Sequence, residues 1–279
     1  MQPVPSDRSN RLPSTANGRT AGEVARACAA AATEIVVPAF AAARPVSHKG
    51  RGNVVTASDL LVERTVAALL HDAFPDHDLL AEETAPDTTA TGYVWVVDPI
   101  DGTRNFASGI PFFCFNLALT LDGETVLALT HDPIRNETFY AERGAGLSVN
   151  GVRSHASTKP SVAQSVLALD LGYDDGAGKQ QLAFAHHLYP GLQSLRIPGC
   201  AALGLAYAAC GRYDCFCHPF LFPWDSAPGL LLVREGGGIV TTRDGARAGL
   251  FDRTAVAGGK EVQADFLRLW RSFLEEKRD

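Results

Sequence analysis

The chain has 279 residues, 46% hydrophobic and 20% charged, a globular composition with apolar material for one large domain or two closely joined halves. Its formal net charge is −6 and its pI is near 5.7, and it has no basic, aromatic-rich stripe, so it lacks the footprint of a nucleic-acid binder. An acidic protein that handles phosphates needs local positive charge, and bound cations are one source of it.

Residues 1–20 are rich in Ser, Asn, Arg and Pro and have no apolar stretch, so they read as a disordered leader and not as a signal peptide. The alanine-rich run from Ala21 to Ala43 resembles a membrane span superficially, but Glu23, Arg26 and Glu34 interrupt it. A soluble amphipathic helix, Gly22 to Ala42, is expected there. A Gly/Lys/Arg-rich loop (His48 to Asn53) precedes a second helix, Asp59 to Phe74. Leu79–Ala81 and the β-branched run Tyr93–Asp98 read as strands. Phe115–Leu121 and Thr125–His131 flank Asp122-Gly123, a strong hairpin signal, and Thr138–Glu142 and Leu147–Val149 follow as strands.

From about residue 161 helices and strands alternate. Strands are expected at Ser165–Asp170, Ser194–Ile197, Tyr213–Cys217, Ile239–Thr242 and Thr254–Ala257, and helices at Lys179–Tyr189, Ala201–Cys210, Asp225–Glu235 and Glu261–Glu276. The class is α/β, with two helices on a mostly antiparallel sheet in the first half (about 21–160) and an α/β second half (about 161–279) of one domain, 21–279. The six cysteines lie mostly in apolar runs without a secretion signal and read as reduced thiols of a cytoplasmic protein. Cys215-Phe216-Cys217-His218 lacks a second ligand pair at usable spacing for zinc.

Three acidic segments carry the chemistry: Glu82-Glu83, Asp98-Pro99-Ile100-Asp101-Gly102-Thr103, and Trp224-Asp225 at the start of a helix. A carboxylate at the end of a buried strand, as Asp98 is, needs a cation or several donors. A turn through Pro99 can aim Asp98, Asp101 and the Ile100 carbonyl at one point, an oxygen set suited to Mg²⁺. Gly102 and Thr103 then offer backbone N–H groups to a phosphate. Taken singly, each piece has a plainer reading: a surface turn, a solvated acidic pair, or a helix cap at Asp225 or Asp59.

The joint pattern resembles the inositol monophosphatase superfamily of Mg²⁺-dependent, lithium-sensitive phosphatases. The resemblance spans about residues 21–275 and takes in Thr56-Ala57-Ser58-Asp59, Arg143-Gly144-Ala145-Gly146, Gly199-Cys200-Ala201-Ala202-Leu203 and Glu235-Gly236-Gly237-Gly238. It implies a layered α-β-α-β-α sandwich, two or three Mg²⁺ ions on Glu82, Asp98, Ile100 (carbonyl), Asp101 and Asp225, and a homodimer. It also implies hydrolysis of a small phosphorylated metabolite, a sugar or cyclitol phosphate, by metal-activated water. Thr103 and Asp59 would orient or deprotonate that water with Glu82 assisting, and Asp101, Gly102, Thr103, Cys200, Ala201 and His218 would contact substrate. Histidinol phosphate, fructose bisphosphate, nucleotide 3′-phosphates and esters of specialised metabolism fall within the same chemistry. A non-catalytic binding protein on the same fold is the reading of a different class.

Two positions depart from the family pattern. His218 stands where many members have a glutamate that contacts sugar hydroxyls, and it is either a histidine satisfied at a strand end or a sign of altered substrate choice. Cys200 replaces the usual Ser or Thr, which predicts weaker polar contact there. Arg104 follows Thr103 and could touch phosphate or face solvent.

Overall fold

The computed structural model describes residues 12–42, 46–50, 53–84 and 90–277. Helix α1 (Ala21–Ala41) opens on a reciprocal cap, in which the Thr20 hydroxyl accepts the Glu23 N–H and Glu23 accepts the Thr20 N–H. The expected leader is therefore ordered in its last part: Leu12 packs on the core, and Ser14 bridges Thr20. Residues 1–11 lie outside the described residues. By length and composition α1 could cross a membrane, yet Val24, Cys28, Ala32 and Val36 are buried along one face against the adjoining sheet.

The segment expected as a loop at 48–53 contains instead an antiparallel pair, β1 (Val46–Gly50) and β2 (Asn53–Thr56). Its Gly, Lys and Arg residues conceal it, because they carry no apolar alternation. Helix α2 (Ala57–Ala73) begins at an N-cap on Thr56; Asp59 is not the cap but bonds back from the third helical position.

A seven-stranded sheet follows, in the order β3 (Asp78–Ala81), β4 (Tyr93–Asp101), β5 (Cys114–Leu121), β6 (Glu124–Asp132), β7 (Glu137–Glu142), β8 (Gly146–Val149), β9 (Val152–Arg153). Only β3 and β4 are parallel. Asp122 and Gly123 both have positive φ (49° and 80°), the backbone that a two-residue hairpin requires and that Asp-Gly supplies.

The second sheet has the order β11 (Ser194–Arg196), β10 (Val166–Leu169), β12 (Cys215–His218), β14 (Ala255–Gly258), β13 (Ile239–Thr241). Its first three strands are parallel, and β14 runs antiparallel to both β12 and β13.

Side-chain alternation sorts the layers. Trp95 and Val97 of β4 pack with α1 and α2, whereas Val94 and Val96 pack with Trp224 and Ala227 of α6 (Pro223–Glu235). Helices α5 (Ala201–Ala209) and α6 fill the space between the sheets, where Ala206 and Leu230 meet Phe139 and Phe216. Helices α4 (Asp175–Leu188) and α7 (Lys260–Glu276) cover the outer face of the second sheet through Phe184, Phe266 and Trp270. The result is the five-layer α-β-α-β-α sandwich. On β12, Cys215 and Cys217 face this outer helical layer, while Phe216 and His218 point the other way. Strand geometry thus puts the two cysteines and the histidine on opposite faces of β12.

Candidate active site

The site begins with a fault in a strand. Asp98 pairs with Asn116 and Asp101 with Cys114, so three steps along β4 match two along β5. In a regular strand residues 98 and 101 would face opposite ways; the one-residue bulge at Pro99-Ile100 turns both to the same side. Asp225 comes from the first turn of α6, where its Oδ2 accepts the Phe222 N–H at 2.7 Å. It sits at the third position of a helix that starts at Pro223, and not at the cap. Carboxylate oxygens of Asp98, Asp101 and Asp225 lie within 4.8 Å of one another.

These groups are held against their own charge. Burial pushes Asp98 well above the ordinary carboxylate range, and the charges of Glu82, Asp101 and Asp225 push it further. Asp225 is raised by burial, then by Asp101 and Glu82, against the pull of the Phe222 N–H. Asp101 is raised by burial, offset by donors from Cys200 and Ala202. Among the described residues no lysine or arginine is ion-paired with any of the three. A convergent, oxygen-only, uncompensated donor set fits a hard divalent cation.

The fourth expected carboxylate, Glu82, is half-buried in the turn after β3, near enough to perturb Asp98 and Asp225. That turn is pinned by Glu63 of α2, which is 1% exposed; its Oε2 accepts the Glu83 N–H at 2.8 Å and its Oε1 accepts the Thr84 hydroxyl.

Thr103 opens the short helix α3 (Thr103–Ser108). Its hydroxyl lies 2.9 Å from the Ile100 carbonyl and 3.4 Å from Asp59 Oδ1. Asp59 is 1% exposed; burial lifts its carboxyl to about 6, although the Thr56 hydroxyl and N–H both donate to it. Gly102, just before α3, has φ +89°, and a Cβ there would stand 3.2 Å from Cys200 Cβ, the Phe112 carbonyl and Phe113 Cβ. Glycine is required on both counts.

A cavity of about 140 Å³ opens beside these groups, lined among others by Asp101, Thr103, Arg104, Asp170, Ala201 and His218. A larger one, about 490 Å³, lies between residues 13–19 and the end of α2, away from the acidic cluster. The Cys200 thiol donates to Asp101 Oδ2 at 2.9 Å, beside the Ala202 N–H at 2.6 Å. Its side chain therefore serves the carboxylate cluster, and it is 3.8 Å (Sγ to Sγ) from Cys114. Arg104 lies over the Tyr173 ring, 4.6 Å from its centroid.

Four contributors escaped the sequence reading. Asn116 donates to the Trp224 carbonyl at 2.7 Å and accepts from Thr130 at 2.6 Å, which ties the start of α6 to β5 and so sets Asp225. Asn105 donates to Phe112, Pro198 and Gly199 carbonyls, joining α3 to the loop before Cys200. Glu63 and Asp170 complete the set. Asn116 is the one with a visible signal: an amide in the middle of the apolar run Cys114–Leu121.

Residues 19–273 match the model of the inositol monophosphatase family. The chain belongs to that family. It is 36% identical over 234 residues to the Nus factor SuhB of Escherichia coli, covering 82% of this chain and 87% of that one. It is 34% identical over 227 residues to the fructose-1,6-bisphosphatase/inositol-1-monophosphatase of Thermotoga maritima, covering 81% and 86%. The solved structure of a Thermotoga maritima IMPase superposes with a TM-score of 0.82 at 32% identity, covering 90% of this chain and 97% of that one. The layered fold is the family's.

Proposed function

We propose that this chain is a Mg²⁺-dependent phosphomonoesterase acting on a small sugar or cyclitol phosphate. The observation that carries the reading is the convergence of Asp98, Asp101 and Asp225 beside the Thr103–Asp59 pair at one cavity. Glu82, Asp98, Asp101, Asp225 and the Ile100 carbonyl would hold the cations, two or three in number. When bound, they neutralise phosphate charge and make water acidic enough to attack phosphorus.

The chain's own part is positioning and proton transfer. Thr103 has one hydroxyl proton and two acceptors in reach. Giving it to Asp59 leaves the threonine oxygen free to accept a proton from the attacking water. Asp59, at about 6, is ionised at neutral pH and can receive the relayed proton. The Gly102 and Thr103 N–H groups and the start of α5 at Ala201 border the space for the phosphate. No covalent phosphoenzyme is needed.

The test is release of inorganic phosphate from a panel of phosphomonoesters, with Mg²⁺ and with a chelator. The panel spans inositol phosphates, fructose bisphosphate, histidinol phosphate and nucleotide 3′-phosphates. Mg²⁺-dependent release from one ester class is the expected result. Absence of release from every ester would favour the second reading, a non-catalytic binding role, which similarity to proteins named Nus factor SuhB supports. A cytoplasmic homodimer belongs to the same proposal by resemblance, and light scattering would test the oligomeric state.

A further inference from the structure

A further cavity, of about 190 Å³, lies between the C-terminal end of α2 and strands β3 and β4. Ala67, Leu70 and Phe74 wall it on the helix side, and Leu79 and Trp95 on the sheet side. It is separate from the acidic cluster. Helix α2 carries Asp59 at its opposite end, and β3 and β4 run from the cavity towards Glu82 and Asp98.

Two polar atoms at this cavity are buried without a partner. Trp95 is 1% exposed, and its indole Nε1 makes no hydrogen bond among the described residues. An indole N–H can only donate, so an acceptor is the one thing that satisfies it. Buried tryptophans usually find one, because an unpaired buried donor forfeits its bond to water. His77, which also lines the cavity, leaves Nδ1 in the same condition. Its ring is stacked between Phe74 and Tyr93, with centroids 4.7 and 4.9 Å away and planes 11° and 22° from parallel, which fixes its orientation. Burial holds the ring below its ordinary range, so it is neutral near pH 7. A carboxamide offers both an acceptor and a donor, and so suits either tautomer of His77 as well as the indole.

Size and charge narrow the ligand. An apolar cavity of roughly 150 Å³ holds benzene, so this one takes a single ring with a small substituent. Asp78 lines the cavity and Asp76 acts on the charge of His77, which disfavours an anion, while the apolar walls disfavour a cation. We propose that the cavity binds a neutral single-ring compound bearing a carboxamide or carbonyl group, whose oxygen accepts the Trp95 Nε1–H while the ring packs on Leu70, Phe74 and Leu79. The site uses none of the clustered acids and needs no cation, so it stands independently of the phosphatase reading.

The experiment titrates the full chain with benzamide, benzoate and toluene and reads dissociation constants by ligand-observed NMR. Benzamide should bind saturably, and benzoate at least about tenfold more weakly. Trp95→Phe keeps an aromatic ring and deletes the N–H. It should weaken benzamide by about tenfold and leave toluene, which has no acceptor, nearly unchanged. Ala67→Leu fills the cavity with another good helix former and should remove binding of both. Neither residue lines the cavity of about 490 Å³, so benzamide binding that survives both substitutions lies elsewhere and overturns the proposal. Three other results also overturn it: no saturable binding of benzamide, benzoate bound as tightly as benzamide, or Trp95→Phe weakening benzamide and toluene alike. Melting curves check that each variant folds. If Trp95→Phe does not, Ala67→Leu decides: loss of benzamide binding sustains the site, and unchanged binding overturns it.

Discussion

The two ends of the cavity are built on different sheets and by different means. At the phosphate end, a bulged strand of the large sheet and the first turn of α6 bring three carboxylates within 4.8 Å. They repel one another and resist ionisation until a cation arrives. At the other end, two strand tips of the smaller sheet bring Asp170 and His218 to the cavity, each already anchored to the backbone. On the proposed function, the first arrangement would act on any phosphomonoester, whereas the second would meet only what the ester carries. If the proposed function holds, chemistry and selectivity sit on separate elements, and substitutions should divide accordingly.

The sharpest way to break this division is to remove a charge at the phosphate end. Asp98→Asn or Asp225→Asn should lower kcat/KM at fixed Mg²⁺ by at least about 100-fold, since several kcal/mol of charge stabilisation depends on the cations and each ~1.4 kcal/mol is tenfold. The loss should be the same for every ester in a panel; full activity at low Mg²⁺ would remove these residues from the cation site. Thr103→Val keeps the shape and deletes the hydroxyl. It should lower kcat by about 100-fold or more, with KM nearly unchanged, because the hydroxyl handles a proton and not the ester. A large rise in KM alone would instead make Thr103 a binding group.

Asn116→Ala probes the support of Asp225. Mg²⁺ affinity should weaken by about tenfold while the ester preference stays constant, as read by activity titrated against Mg²⁺. The smallest effect concerns pH and stability. Asp59 and Asp170 are raised to about 6 and 7 in the fold, above an ordinary carboxylate near 4. Their contribution without metal is present below about pH 4 and lost as pH rises through 6 to 7. The Mg²⁺-induced gain in Tm should therefore be larger at pH 8 than at pH 5, by about 5 °C. Melts with and without Mg²⁺ at both values check it, and an equal gain would mean that the buried acids are already compensated without metal.

The ordinary elements were legible because their signals are local. The β-branched run at Tyr93 and the Asp122-Gly123 turn each act over a few residues, and the strands lie where these signals imply. The β1–β2 pair and the six-residue α3 were not legible, one for want of apolar alternation and the other for shortness. The carboxylates of the site were read from their spacing and from the resemblance, while Asp170 and Asn116 passed as single polar residues in apolar surroundings and Glu63 as one charge beside Arg64 on a helix.

The sequence by itself determined most of the helices and strands, the acidic segments and the residue types in them, since hydrophobic period and turn chemistry are properties of neighbours along the chain. Tertiary structure alone decided which acids meet. A one-residue bulge turns Asp98 and Asp101 to one side, Asn116 brings in Asp225, and two parallel strands end together at Asp170 and His218. Register and packing between distant segments set these meetings, and neither is written in any short stretch of chain.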